Sequence, residues 1–330
     1  MKSKNYILIG GGELLTKVAI YLKNALEINP LVLCSDRHFN EIICDITFHN
    51  ILDTNKIEYI RINKLILDDL QKINIDFKNT IIFSFGAPWI IKQDIIDLFN
   101  NNIFNFHGTR LPQNRGGGGA TWQIMRSFNY GVTLAHKVDI GIDTGEIVKY
   151  EEFIYDNCKK PSDYSKIHIH NYFIFIKKFI NDLNNNISLK SYSQSEYFSS
   201  YWPRLNTEEH GWIDWSWDGF DIYKFICAFD DPYPGAHTYL NGIKVYLKDA
   251  FWDTNDGTFH PFQSGIIYRR RDAYHAIATK GGTLLIKELI DESRKSISYQ
   301  IGDRLFTPRA QLEEALSQRV VYTPTGLKDG

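Results

Sequence analysis

A short apolar run that ends in three glycines and passes directly into an amphipathic helix constrains this chain most. Asn5 to Ile9 reads as a strand, Gly10-Gly11-Gly12 as a turn, and Glu13 to Leu26 as a helix with apolar residues at helical spacing. The unit then recurs in outline. Leu31 to Cys34 and Tyr59 to Ile62 read as strands, Ile66 to Ile73 as a helix, and Thr80 to Phe85 as a buried strand stopped by Gly86. Short apolar strands alternating with helices predict a parallel sheet covered on both faces. Such a sheet presents ligand sites at the carboxyl ends of its strands.

Beyond Val148 the pattern turns helical, with a long amphipathic segment over Ile167 to Leu183 broken by Asn184-Asn185-Asn186. A linker is expected between about Leu189 and Gly211. After it, Gly219 to Phe229 reads as a helix, and Ile243 to Leu247, Ser264 to Tyr268, Ala273 to Ala278 and Thr283 to Leu289 as the short strands of a small barrel. The division this gives is a first unit over 1–200, a linker over 201–211 and a second unit over 212–330, which suits a chain of 330 residues.

Charge and cysteine usage narrow the function classes. A net charge of -2 disfavours a nucleic-acid partner, because gripping a polyanion takes a basic surface. Cys34, Cys44, Cys158 and Cys227 lie far apart, so no zinc spacing is present and reduced thiols are expected. Apolar stretches such as Ile81 to Phe85 are too short for a bilayer, and Met1-Lys2-Ser3-Lys4 leads into a strand rather than a cleavable leader. A cytoplasmic protein without a membrane partner is the expectation.

Three segments carry chemistry. Gly10-Gly11-Gly12 lacks the third spaced glycine of a dinucleotide fingerprint, leaving a tight turn or a contact to a substrate phosphate at a helix start. Asn105 and His107 sit at alternate positions of a strand end, so their side chains point the same way into one pocket. Asp143, within Gly141-Ile142-Asp143-Thr144-Gly145, is either a turn residue or a carboxylate that orients an imidazole.

Asn105-Phe106-His107, Leu111-Pro112 followed by Arg115-Gly116, and Asp143-Thr144-Gly145 occur in an order and spacing that resembles the 10-formyltetrahydrofolate-dependent formyltransferases. Past the linker, Ile213-Asp214-Trp215-Ser216, Ala228 to Ala236 and Gly282 to Ile286 are similar to the small C-terminal domain of the tRNA and nucleotide-sugar branches. The resemblance implies an α/β fold in which a Rossmann-like parallel-sheet catalytic domain precedes an OB-like β-barrel. It also implies 10-formyltetrahydrofolate as cosubstrate, no metal, and Asn105, His107 and Asp143 as the catalytic trio. Phe85, Gly86, Ala87, Trp89 and Ile90 would form the folate pocket, faced by Val138, Asp139 and Gly141. Trp89 could equally be a core aromatic. Gly10, Gly11, Gly12, Thr109, Arg110 and Arg115 are the candidate acceptor contacts.

Two departures bear on the acceptor: Thr109-Arg110 replaces the usual residues before Leu111-Pro112, and Gly116 to Gly119 is unbroken. With the charge and Asp230-Asp231-Pro232-Tyr233-Pro234-Gly235, they favour a nucleotide-linked amino sugar, within glycan, lipopolysaccharide or O-antigen assembly. The alternatives are methionyl-tRNA formyl transfer or, from another class, a nicotinamide-binding or non-catalytic Rossmann protein. A homodimer is compatible with this reading. Arg269-Arg270-Arg271 is the basic cluster an RNA would use, and Tyr201-Trp202-Pro203-Arg204 either reaches the site or pins the two units.

Overall fold

Alternation along single strands sets the layers of the molecule, a computed structural model that describes residues 4–328. The basic start, Met1-Lys2-Ser3, lies outside the described residues. In β1 (Asn5–Gly10), Tyr6 and Leu8 join one apolar cluster, while Ile7 and Ile9 join another across the sheet. The remaining strands are β2 (Leu31–Cys34), β3 (Glu58–Arg61), β4 (Thr80–Phe85), β5 (Ile103–His107), β6 (Tyr130–Lys137) and β7 (Ile147–Ile154). They form one seven-stranded sheet in the order β7-β6-β5-β4-β1-β2-β3. From β5 to β3 every pairing is parallel, whereas β6 and β7 are antiparallel additions at one edge.

Helix α1 (Gly12–Leu26) buries Leu15, Val18 and Leu22 against the sheet, each contributing about 1.5–3 kcal/mol of apolar transfer. After a short helix, α2 (Gly119–Met125), the chain forms α3 (Pro161–Asn184) on the same face as α1. The sequence places that helix from Ile167. It begins earlier because Pro161 fits a first helical position and the Asp163 carboxylate accepts the Lys160 N–H at 3.2 Å. Phe175 and Phe179 of α3 meet Phe83, Phe104 and Phe106 in edge-on and tilted contacts, which anchors α3 behind β4 and β5.

The C-terminal half is an antiparallel sheet of β8 (Ala236–Leu240), β9 (Ile243–Asp253), β10 (Ile267–Arg271), β11 (Tyr274–Thr279), β12 (Gly282–Ile290) and β13 (Leu305–Phe306), in the order β10-β11-β12-β9-β8-β13. A bridge between Ile266 and Arg304, with Leu305 N–H donating to Gly265 O at 2.9 Å, joins its two ends. The sheet therefore curls into an OB-like barrel, with α4 (Gly219–Ala228) packed against β8, β9 and β12.

Two features bind the halves. Ile124, Tyr155 and Tyr164 share an apolar cluster with Ile226 of α4 and Leu247 of β9. Lys160 Nζ lies 2.7 Å from Asp231, 3.8 Å from Asp230 and 3.6 Å from Asp249, and Lys248 closes the same group. The Asp230-Asp231 segment is thus a fastening between halves, not a wall of the candidate cleft. α5 (Arg309–Ser317) follows the barrel, and a hairpin of Tyr322–Thr323 with Gly326–Leu327 returns to the first sheet, where Pro324 O accepts the Arg37 N–H at 2.9 Å. No helix among the described residues is long and apolar enough to cross a membrane.

Candidate active site

Strand register brings the candidate catalytic groups together. Ser84 of β4 pairs with Asn105 of β5, which pairs with His136 of β6. Phe104 and Phe106 point to the α3 side, so Asn105 and His107 project from the opposite face. Asp143 enters from the loop after β6 with φ +54°, a left-handed conformation uncommon for aspartate that aims its carboxylate back at the strand ends.

That carboxylate is the hub of the site. Its Oδ2 accepts the Gly116 N–H at 3.0 Å and lies 3.5 Å from His107 Nδ1; its Oδ1 lies 3.3 Å from Asn105 Nδ2 and 3.5 Å from His136 Nε2. Burial alone would raise its pKa, but hydrogen bonding from His136, the charge that His107 carries once acid protonates it, and the Gly116 N–H hold it at about 2. Asp143 is therefore ionised at neutral pH.

His107 is fixed from behind and in front. Its backbone oxygen accepts from the Tyr172 hydroxyl, which also accepts the Leu134 N–H at 2.9 Å. Its Nε2 lies 2.7 Å from Asn114 O and 2.8 Å from Thr109 Oγ1. A carbonyl oxygen only accepts, so Nε2 carries a proton and the lone pair of the neutral ring is at Nδ1, facing Asp143. Burial lowers the imidazole pKa against the opposing pull of Asp143.

The other expected contacts divide into those near the trio and those turned elsewhere. Thr109 is buried on His107. Arg115 is 7% exposed and bonds Gln194 and Glu196, and Gln194 in turn donates to Asp143 O at 2.9 Å and Gly145 O at 2.7 Å. It braces the Asp143 loop through Gln194 and is not presented to an acceptor. Arg110 extends outward, 4.0 Å from Glu152. Gly10 and Gly11 close the β1–α1 turn against β4: Gly11 N–H donates to Phe85 O at 3.2 Å, and a Cβ at Gly10 would lie 2.1 Å from that oxygen. Gly12 opens α1.

In the expected folate walls, the Phe85 ring is core, stacked on Phe106 at 5.1 Å. Ala87, Trp89 and Val138 pack on a single apolar cluster, and Trp89 donates to Asn63 O at 3.2 Å, so the two loops meet with Trp89 partly in the core. Gly86, at φ +60°, turns the chain between Phe85 and Ala87. Asp139 braces its own loop by accepting from Gly141 N–H and Thr144 Oγ1. Ile90, Ile140 and Ile142 are left 71%, 68% and 51% exposed on these loops.

His136 was not among the sequence candidates. It bonds Asn105 Nδ2 at 3.1 Å and Lys137 O at 2.7 Å. The signal was its place one register partner from Asn105, visible only once β6 is known to run antiparallel beside β5. Of the linker residues, Tyr201 and Trp202 pair in parallel with Arg115 and Gly116, which pins the linker to the site loop. Arg269 and Arg271 pair with Asp256 and Asp253, so the basic cluster is balanced locally.

A parallel sheet with a carboxylate–imidazole–amide cluster at its strand ends, followed by a curled antiparallel barrel, has the architecture of the formyltransferases. Residues 206–301 match the family described as Formyl transferase, C-terminal domain. The chain is 27% identical over 239 residues to a methionyl-tRNA formyltransferase of Clostridium tetani, covering 72% of this chain and 73% of that protein. It is 32% identical over 183 residues to the bifunctional polymyxin resistance protein ArnA of Wigglesworthia glossinidia brevipalpis, covering 55% of this chain but only 27% of that longer protein. In fold it is similar to an N-formyltransferase from Helicobacter canadensis solved with folinic acid and dTDP-3-aminofucose, with a TM-score of 0.66, 20% identity, and coverage of 87% of this chain and 99% of that one. WlaRD, a sugar 3N-formyl transferase solved with dTDP and 5-N-formyl-THF, gives a TM-score of 0.65 at 21% identity over 88% and 100% of the two chains. Residues 206–301 thus carry a formyl transferase C-terminal domain, and the chain as a whole shares the fold of these relatives.

Proposed function

We propose that this chain transfers the formyl group of 10-formyltetrahydrofolate to the amine of a nucleotide-linked amino sugar. The observation that carries the reaction is the convergence of Asn105 and His107 on the Asp143 carboxylate, at 3.3 and 3.5 Å. The exposed Ile90, Ile140 and Ile142 on loops that meet at one apolar cluster suit an aromatic pterin ring, which would cover them.

The roles follow from the contacts. An amine entering between His107 Nδ1 and Asp143 is held by the carboxylate and gives its proton to Nδ1 as its nitrogen bonds to the formyl carbon. Asp143 stabilises the imidazolium so formed. The Asn105 N–H that reaches Asp143 at 3.3 Å makes a long bond, and it is the one released to the formyl oxygen as negative charge develops there. When the bond from the formyl carbon to the folate nitrogen breaks, the proton passes from His107 to that nitrogen.

The sugar acceptor is supported by the net charge of -2, by the local pairing of the basic cluster, and by fold similarity to two sugar formyltransferases. A second reading, formylation of methionyl-tRNA, is favoured by the sequence relatives that carry that name. Assays of formyl transfer to a panel of amino-sugar nucleotides and to charged initiator tRNA separate the two; product only on the tRNA would overturn the sugar reading.

A further inference from the structure

Two guanidinium groups converge on one tyrosine ring beside the candidate site. Arg37 lies with its Cζ 5.6 Å from the centre of the Tyr322 ring, and Arg204 with its Cζ 5.3 Å from the same ring. Each is tied to a loop that flanks the trio. Arg37 Nη2 donates to Gly86 O at 3.4 Å, and Arg204 packs on Gly117, where an added Cβ would lie 2.9 Å from its own Cβ. Gly117 follows the Gly116 whose N–H holds Asp143.

The surrounding charge balances this pair only in part, with one carboxylate, Glu41, facing Arg37. Among the described residues neither guanidinium makes an ion pair, in contrast to Arg269 and Arg271 in the barrel. His38, at 2.8 Å from Arg37 Nη2, is kept neutral because burial and the two arginines push its pKa down to about 4. Glu41 faces Arg37 as a partial counter-charge and also accepts the Gly12 N–H, so its carboxylate is shared between the two. The Tyr322 π-face is the remaining stabilising contact, and it is weaker than an oxyanion would be. The arginines that sequence offered for the acceptor, Arg110 and Arg115, are directed elsewhere.

We propose that Arg37 and Arg204 form the subsite for the diphosphate of the acceptor, with Tyr322 of the C-terminal hairpin as a resident cover that the diphosphate displaces. This inference rests on the nucleotide-sugar reading. Planar guanidinium forks match phosphate oxygens, and a dianion between two cations removes their mutual repulsion. The hairpin is suited to yield, since its two strands are two residues each and Tyr322 Oη has only a 3.5 Å contact to Asn206 Nδ2.

The test is calorimetric titration of the full chain with inorganic pyrophosphate, a pyrimidine nucleoside diphosphate and the uncharged nucleoside. Arg204→Ala, at an exposed residue whose side chain makes no hydrogen bond among the described residues, is expected to weaken pyrophosphate and the diphosphate by about tenfold and to leave the nucleoside unchanged. Tyr322→Ala is expected to tighten pyrophosphate. Unchanged pyrophosphate affinity in Arg204→Ala, weaker pyrophosphate binding in Tyr322→Ala, or no pyrophosphate binding by the wild type would overturn the subsite. Loss confined to tRNA binding in Arg204→Ala would overturn it too, since the pair would then serve a polyanion. None of these readouts uses formyl transfer, so a wrong acceptor assignment, detected by the assay panel, is told apart from a wrong subsite.

Discussion

Asp143 accepts from the Gly116 N–H and lies within 3.5 Å of Asn105, His107 and His136, so substitutions within this cluster are expected to be non-additive. Replacing Asn105 or His107 by alanine should lower kcat by about a hundredfold or more while the melting transition stays close to wild type. Near-normal turnover in either variant would remove that residue from the mechanism. The proton-accepting form of His107 is the neutral one, and burial lowers its pKa below 6.5, so the neutral base persists on the acid side of that value. The pH profile of kcat/KM should accordingly run level down through 6.5, and a fall that begins above 6.5 would contradict a buried neutral base. For Asp143 the folded pKa is depressed to about 2 from 3.8, so its ionised form stabilises the fold above 3.8 and that contribution is lost as pH falls toward 2. The stability gap between wild type and Asp143→Asn should be constant at neutral pH and close through this acid window in denaturant titrations. At this scale Asn105 and His107 were legible, because period-two geometry alone makes them neighbours. The partners of Arg115 were not legible, because nothing in Arg-Gly-Gly tells that Gln194 and Glu196 come from a segment about eighty residues on.

Helix α3 does more than cover the sheet, since Tyr172 fastens the backbone at both His107 and Leu134. Tyr172→Phe keeps the ring and its packing but leaves the Leu134 N–H and the His107 carbonyl without that partner. The expected cost is roughly 1–3 kcal/mol in urea unfolding, together with a lower kcat, because the same bond sets the His107 backbone. An unchanged midpoint and rate would show that the hydroxyl has no such role. Elements with a clear period, β1, β4 and α1, are readable from sequence because each buries one face. The antiparallel β6–β7 edge was not, since Thr133, His136 and Glu151 interrupt any apolar pattern and the strand is decided by pairing with β5. Barrel closure was equally hidden: it depends on Gly265 meeting Leu305, a contact that no local signal reports.

Across the whole molecule the acceptor question becomes one of charge. A small dianionic substrate should give an acceptor KM that changes little between low and physiological salt, whereas a tRNA would give a steep dependence. Triple substitution of Arg269, Arg270 and Arg271 should leave activity on the sugar nearly intact, because Arg269 and Arg271 are already matched by Asp256 and Asp253. A steep salt slope with collapse of activity in the triple variant would point to RNA. Asp230 is a separate matter: buried, it accepts from Asp231 N–H at 2.6 Å and Asp249 N–H at 2.8 Å, so Asp230→Ala should cost roughly 1–3 kcal/mol on urea unfolding. The two halves could be anticipated from composition and period, but their fastening could not, since Lys160 lies about seventy residues from its acidic partners. The return of Pro324 to Arg37 has a further consequence for synthesis. A chain made at about 5–20 residues per second folds its early units first, so the sheet with Asn105 and His107 can assemble on the ribosome while the hairpin is still unmade. Nascent chains stalled before Tyr322 would then present the Arg37 loop uncovered, open to anionic ligands or to protease, until the hairpin is made.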